Sequence, residues 1–151
     1  MSGGLNRRSL LGGLAASLIP LPLQATPAEV ARAITTLFGS GALQEGPLHL
    51  DLPLLAETGN SVPLTLRFDS PMTADDRIVR LALFAELNPR PLVCELRLSP
   101  LAATARLGTN LRLSSTQTVV AVAEHASGQL FAARREVRVV IGACTTLPGR
   151  Y

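Results

Sequence analysis

Two hydrophobic periods divide the chain. Between residues 27 and 38 apolar side chains recur at helical spacing, at Val30, Ile34 and Leu37/Phe38. Thr26 stands ahead of them as a capping residue, Pro27 suits the first helical position, and Glu29 follows the threonine by three residues, within reach of the cap. The spacing predicts a short amphipathic helix over 27–38, ended by Gly39-Ser40-Gly41. Beyond it the period changes to two. Leu48, Leu50, Leu52 and Leu54 alternate with His49, Asp51 and Pro53. After a turn cluster at 56–61, Val62, Leu64, Leu66 and Phe68 alternate with Pro63, Thr65 and Arg67. Further runs follow at 77–85, 92–99, 105–113 and 117–124. His125-Ala126-Ser127-Gly128 reads as a hairpin connection, with two last strands at 130–133 and 136–141. Short strands at even spacing predict an all-β sandwich of about seven strands behind one short N-terminal helix.

Composition refines this picture. The chain lacks tryptophan and has one tyrosine, so its core must be aliphatic; at 151 residues a single domain is expected, with enough Leu, Val and Ile to fold without a disulfide. All fourteen basic residues are arginine, and formal charge is +3. Arg7 and Arg8 precede a weakly apolar run from Leu10 to Leu23, broken by Pro20 and Pro22. Residues 1–25 therefore read as a twin-arginine-type export signal, followed by a sandwich domain over 26–141 and a cysteine arm over 142–151. Without the leader, twelve arginines face eleven acids, and a basic stripe of the kind that binds nucleic acid is missing. The expected location is the periplasm, an oxidising compartment, with no stable membrane association.

Candidate chemistry is sparse. No zinc-ligand spacing, phosphate-cradling glycine loop or Ser/His/Asp order is present, and the chain offers no convincing catalytic residue. His49 and His125 read as surface residues, and Asp75, Asp76 and Glu57 as solvated loop carboxylates. Cys94 falls on the apolar face of its strand and reads as a core residue. Cys144 is different. It follows the last strand by three residues, after Gly142 and Ala143, with Arg134, Arg135, Arg138 and Arg150 nearby in sequence. A nucleophilic thiol needs access and time as thiolate, which nearby positive charge favours. Extended backbone covers about 3.3–3.6 Å per residue, so Cys144 stands roughly 10 Å clear of Ile141, far enough to enter another protein's cleft. The alternative is a tail cysteine paired with Cys94, fifty residues away, or left unused.

Over residues 27–144 the sequence resembles the SoxY family, the sulfur-carrier subunit of bacterial thiosulfate oxidation. The resemblance is carried by Leu55-Ala56-Glu57-Thr58-Gly59-Asn60-Ser61-Val62-Pro63-Leu64, Ser70-Pro71-Met72-Thr73 and Leu83-Phe84-Ala85-Glu86-Leu87-Asn88-Pro89-Arg90-Pro91. Leu111-Arg112-Leu113, Thr116-Gln117 and Val120-Ala121-Val122-Ala123-Glu124 add to it. It implies an immunoglobulin-like sandwich that works as a heterodimer with a SoxZ-like β-sandwich subunit. It implies no enzyme activity, metal or resident cofactor, only a covalent sulfur adduct on Cys144, with Gly142 and Ala143 as the hinge of a swinging arm. A c-type cytochrome would load the thiol, and a sulfate-releasing hydrolase would act on the adduct. The family's arm reads Gly-Gly-Cys-Gly-Gly; here it is Gly142-Ala143-Cys144-Thr145-Thr146 with five further residues, stiffer and longer. The expectation is a carrier of sulfur compounds. The alternatives are a carrier of a different sulfur species and a sandwich retained as a dimerisation or interaction module.

Overall fold

The computed structural model describes residues 25–141. Its helix and strands are α1 (Pro27–Phe38), β1 (Leu43–Gln44), β2 (Leu48–Asp51), β3 (Leu55–Thr58), β4 (Val62–Phe68), β5 (Ile78–Ala85), β6 (Leu92–Arg97), β7 (Ala105–Leu111), β8 (Gln117–His125) and β9 (Leu130–Ile141). Two sheets face each other, as the alternating pattern predicts. The smaller has the order β2-β4-β7 and is antiparallel. The larger has the order β1-β9-β8-β5-β6, and β3 also pairs with β9. The mostly β architecture agrees with the immunoglobulin-like sandwich expected. No helix among the described residues is long and apolar enough to cross a membrane.

The core lies between the sheets and is largely aliphatic. Leu50, Val62, Leu64, Leu66 and Leu111 of the small sheet meet Ile78, Leu81, Leu83, Val119 and Val137 of the large one. A second apolar layer lies on the other side of the large sheet, where Val30 and Ile34 of α1 pack on Ala82, Phe84, Val120 and Val122. This explains why 117–124 reads as a nearly continuous Val/Ala run: β5 and β8 are buried on both faces, so alternation disappears.

Local chemistry sets the helix as read. Glu29 N–H donates to the Thr26 hydroxyl at 3.3 Å, and Glu29 Oε2 accepts from Thr26 N–H at 2.7 Å. The helix has no basic residue in its last turn; Arg80 of β5 takes that place. Its Nη1 donates to the Leu37 carbonyl at 2.7 Å, its guanidinium lies 5.2 Å from the centre of the Phe38 ring, and its Nε is 3.0 Å from Glu124 Oε2. At the β8–β9 hairpin Gly128 takes φ +86°, a left-handed conformation that costs glycine little.

Three boundaries differ from the sequence reading. Residues 55–58 form a strand rather than the start of a turn, because they pair in parallel with β9 more than eighty residues later, a partner invisible locally. The two expected last strands are one: Arg134 and Arg135 look like a break, yet they stay in register with Val120 and Val119. Among the described residues the strand count is nine rather than about seven, the additions being the edge pieces β1 and β3.

Phe84 is fully buried between α1 and the sheet. Phe84→Ala should therefore destabilise the domain by about 3–5 kcal/mol, read as a lower urea midpoint; a loss below about 1 kcal/mol would mean that α1 is not docked there.

Candidate functional site

Strand β9 delivers the chain to Cys144, and the site is built around its last residues. Gly142, Ala143 and Cys144, and residues 1–24 of the export signal expected over 1–25, lie outside the described residues; the described fold ends at Ile141. Near that point both edges of β9 have partners, one as far as Val139 and the other as far as Ile141. On one edge β8 pairs from Leu130↔Glu124 to Val137↔Gln117. Where β8 ends, Thr116 continues the ladder with its side chain: its Oγ1 accepts from Val139 N–H at 2.9 Å, and its hydroxyl donates to the Val139 carbonyl at 3.4 Å. On the other edge β3 runs parallel, with Leu55 opposite Arg138, Ala56 opposite Val139 and Thr58 opposite Ile141. Arg138 N–H donates to the Leu54 carbonyl at 3.0 Å, and Gly59 N–H donates to the Ile141 carbonyl at 2.8 Å.

A second tier holds these braces. The Gly59 carbonyl accepts from Leu113 N–H at 2.8 Å, tying the 59–60 turn to the segment before β8. That segment is fixed by Gln117 and Asn88. Gln117, 4% exposed, accepts from Leu87 N–H at 2.8 Å and donates through Nε2 to Asn88 Oδ1 at 3.0 Å and to the Ser115 carbonyl at 3.2 Å. Asn88 Nδ2 donates to the Arg112 carbonyl at 2.8 Å, and Ser114 Oγ donates to the Leu87 carbonyl at 2.7 Å. Residues 57–60, 86–88 and 111–117, distant in sequence, thus form one polar scaffold at the end of the sandwich from which the chain leaves. Sequence reasoning singled out these segments as characteristic without showing that they meet.

The other candidate residues lie elsewhere. Cys94 is half-buried on β6, packed against the core opposite Leu83. Burial pushes its thiol pKa up, and a backbone hydrogen bond with Leu83 opposes this more weakly. Pairing with Cys144 is excluded by distance. Cys94 is level with Leu83, Ala121 and Ala133 across three strand spacings, or about 14 Å. Ala133 is eight residues from Ile141, about 26 Å along the strand. The resulting gap of roughly 30 Å exceeds the roughly 10 Å that three residues span plus the 7 Å Cα separation that a disulfide tolerates.

His49 is exposed and pairs with Asp69 at 2.8 Å, as a surface histidine should. His125 departs from expectation. Its side chain is 14% exposed, because the hairpin and the 70–76 loop close over it. Ser127 N–H donates to Nδ1 at 3.2 Å with Ser127 Oγ 2.8 Å away, leaving Nε2 to donate to Asp76 Oδ1 at 3.2 Å. The serine is two residues from the histidine on the same turn and shares Nδ1 with its own amide, the geometry of a hairpin cap. Among the described residues no group of three or more His, Cys, Asp or Glu is placed to hold a metal ion.

A family profile described as "Sulfur oxidation protein SoxY" matches residues 34–144, a span that ends on Cys144. No curated protein matches the chain. Among solved structures, the sulfur carrier protein SoxY from Chlorobium limicola f thiosulfatophilum is 28% identical with a TM-score of 0.65, covering 76% of this chain and 98% of that one. A superoxide reductase (neelaredoxin) from Ignicoccus hospitalis superposes at TM-score 0.56 with 18% identity, covering 78% of this chain and 95% of that one. A putative superoxide reductase from Thermotoga maritima does so at 0.55 with 12% identity, covering 64% and 87%. These last two share the fold alone.

Two outcomes test the scaffold and the buried thiol. Gln117→Leu leaves the Leu87 N–H and Ser115 carbonyl without their partner, and should cost about 1–3 kcal/mol in urea unfolding; an unchanged midpoint would deny the scaffold its role. For Cys94 the raised pKa means that the unfolded chain loses its thiol proton first. Stability is full below the ordinary thiol pKa of about 8.5 and falls as pH rises through and beyond it. Cys94→Val should therefore lose less stability between pH 7 and pH 10 than the parent; equal losses would refute the burial effect.

Proposed function

We propose that this chain, which belongs to the SoxY family of sulfur oxidation proteins, is a non-catalytic carrier that holds a sulfur compound covalently on Cys144 while partner enzymes process it. One observation carries the reading. The family match runs up to Cys144, and β9 is held on one edge to Val139 and on the other to Ile141, three residues short of it. A fixed root followed by a short reach suits a thiol that must be offered to other proteins.

The chemistry then belongs to sulfur and to the partners. Loading with thiosulfate joins Cys144 Sγ to the outer sulfur of thiosulfate. The thiol loses its proton, and two electrons pass to a c-type cytochrome partner. A hydrolase next breaks the bond between that outer sulfur and the sulfonate; water supplies the oxygen, sulfate leaves, and a persulfide stays on Cys144. Gly142 and Ala143 serve as the hinge. The chain works in the periplasm after twin-arginine export, paired with a SoxZ-like β-sandwich subunit, and needs no resident cofactor. Thr145, Thr146 and residues 147–151 set it apart from a Gly-Gly-Cys-Gly-Gly arm and narrow the clefts that admit it.

Intact-mass measurement of protein purified from its own periplasm during growth on thiosulfate tests this. Sulfur or thiosulfonate adducts are expected, removable by reductant and missing from Cys144→Ala. A single unmodified mass under those conditions would refute the carrier reading.

A further inference from the structure

Seven large apolar side chains of the described fold are exposed, and four of them gather where β9 ends: Leu54 is 67% exposed, Leu55 60%, Val140 67% and Ile141 63%. Leu43, Leu92 and Leu101 belong to other parts of the chain, and single exposed apolar residues are ordinary. A cluster is not. The register accounts for it. Leu55 is opposite Arg138, and Val140 follows Arg138 by two on the same side of β9, so Leu55 and Val140 are diagonal neighbours. Leu54, Leu55, Glu136 and Arg138 line an open groove of about 540 Å³. Helix α1 covers Ala82, Phe84, Val120 and Val122 of the same sheet, leaving this end bare.

We propose that this patch is the docking surface for the mouth of the enzyme that loads Cys144, and that this mouth has an apolar rim no more than about 10 Å above its reacting centre. The inference rests on the carrier reading and adds a surface and a depth to it. Its argument is reach. Cys144 is three residues beyond Ile141, so an enzyme that takes the thiol brings its own surface within about 10 Å of Ile141. Val140 is adjacent to Ile141, and Leu55, one strand spacing of about 4.8 Å across and three residues of about 3.3 Å each back along β3, is about 11 Å from it. A protein that encloses the thiol covers Val140 and Ile141 and, where its surface extends back along β3, Leu55 and Leu54, and these four exposed residues make that contact apolar. Arg138 and Glu136, one charge of each sign on the groove wall, fix the orientation of the rim.

The test uses the full chain assembled with its second subunit and follows thiosulfate-dependent loading of Cys144 by the cytochrome enzyme. Leu55→Ser and Val140→Thr should each lower kcat/KM by tenfold or more. Alkylation of Cys144 by iodoacetamide, which needs no docking, should keep its rate. Leu55→Met and the distant Leu101→Ser should load like the parent. Parental rates for both Leu55→Ser and Val140→Thr would overturn the inference alone. Failure of those variants to assemble with the second subunit would also overturn it, by giving the patch to that interface. A parent chain that takes no adduct would overturn the carrier reading, and this inference with it.

Discussion

The end of the fold depends on β9 keeping hydrogen-bond partners past the point where β8 stops. A strand of twelve residues would normally fray where its neighbour stops, and β8 stops opposite Val137. Four residues then remain before the described fold ends. Each backbone hydrogen bond contributes only about 0.5–1.5 kcal/mol net, so one missing partner suffices to loosen the exit. Thr116 replaces β8 on one side, and β3 with the 59–60 turn closes the other. Since β3 is a parallel edge strand, its contribution comes as much from the turns that hold it as from its own pairing. This makes the network of Gln117, Asn88 and Gly59 part of the exit rather than a remote loop feature.

The rest of the sandwich permits that arrangement. The core is assembled from Leu, Val, Ile and Ala, with Phe68 and Phe84 as its buried aromatics. Burying β5 and β8 on both faces compensates for the scarcity of large rings, and α1 is the element that makes the second face possible. Arg80 joins the end of α1 to Glu124 of β8, so the helix and the sheet are coupled by charge and hydrogen bonding as well as by apolar contact.

Much of this was legible because it is local. The capping set Thr26, Pro27 and Glu29 marks the helix within four residues, and the alternation from Val62 to Phe68 marks β4 to the residue. What escaped is set by distant partners. Nothing in Leu55-Ala56-Glu57-Thr58 distinguishes a strand from a turn without the end of β9 beside it. Arg134 and Arg135 mimic a break because charge pairs commonly do; only the β8 register shows that they do not. Asp76 and His125 meet across forty-nine positions, so the histidine's partial burial had no local sign. Cys144, the site residue expected from position and resemblance, lies outside the described residues, so its candidacy rests on the family match that ends on it and on the geometry of the strand before it.

The two cysteines illustrate how that geometry acts on chemistry. Two thiols on one chain can lock each other in a disulfide where their geometry allows it. Here Cys94 is three strands across and eight residues down from Ile141, a separation several times the reach of the intervening residues. Burial also keeps Cys94 in the less nucleophilic protonated form. Topology therefore keeps Cys94 beyond the reach of a thiol three residues past Ile141. A root held on both edges secures this division. Were β9 free to peel back from β8, the reach of Cys144 would lengthen by about 3.3 Å for every residue released, and the separation that keeps the two thiols apart would shrink with it. The same bonds that hold the end of β9 thus also keep Cys144 from the other cysteine in the chain.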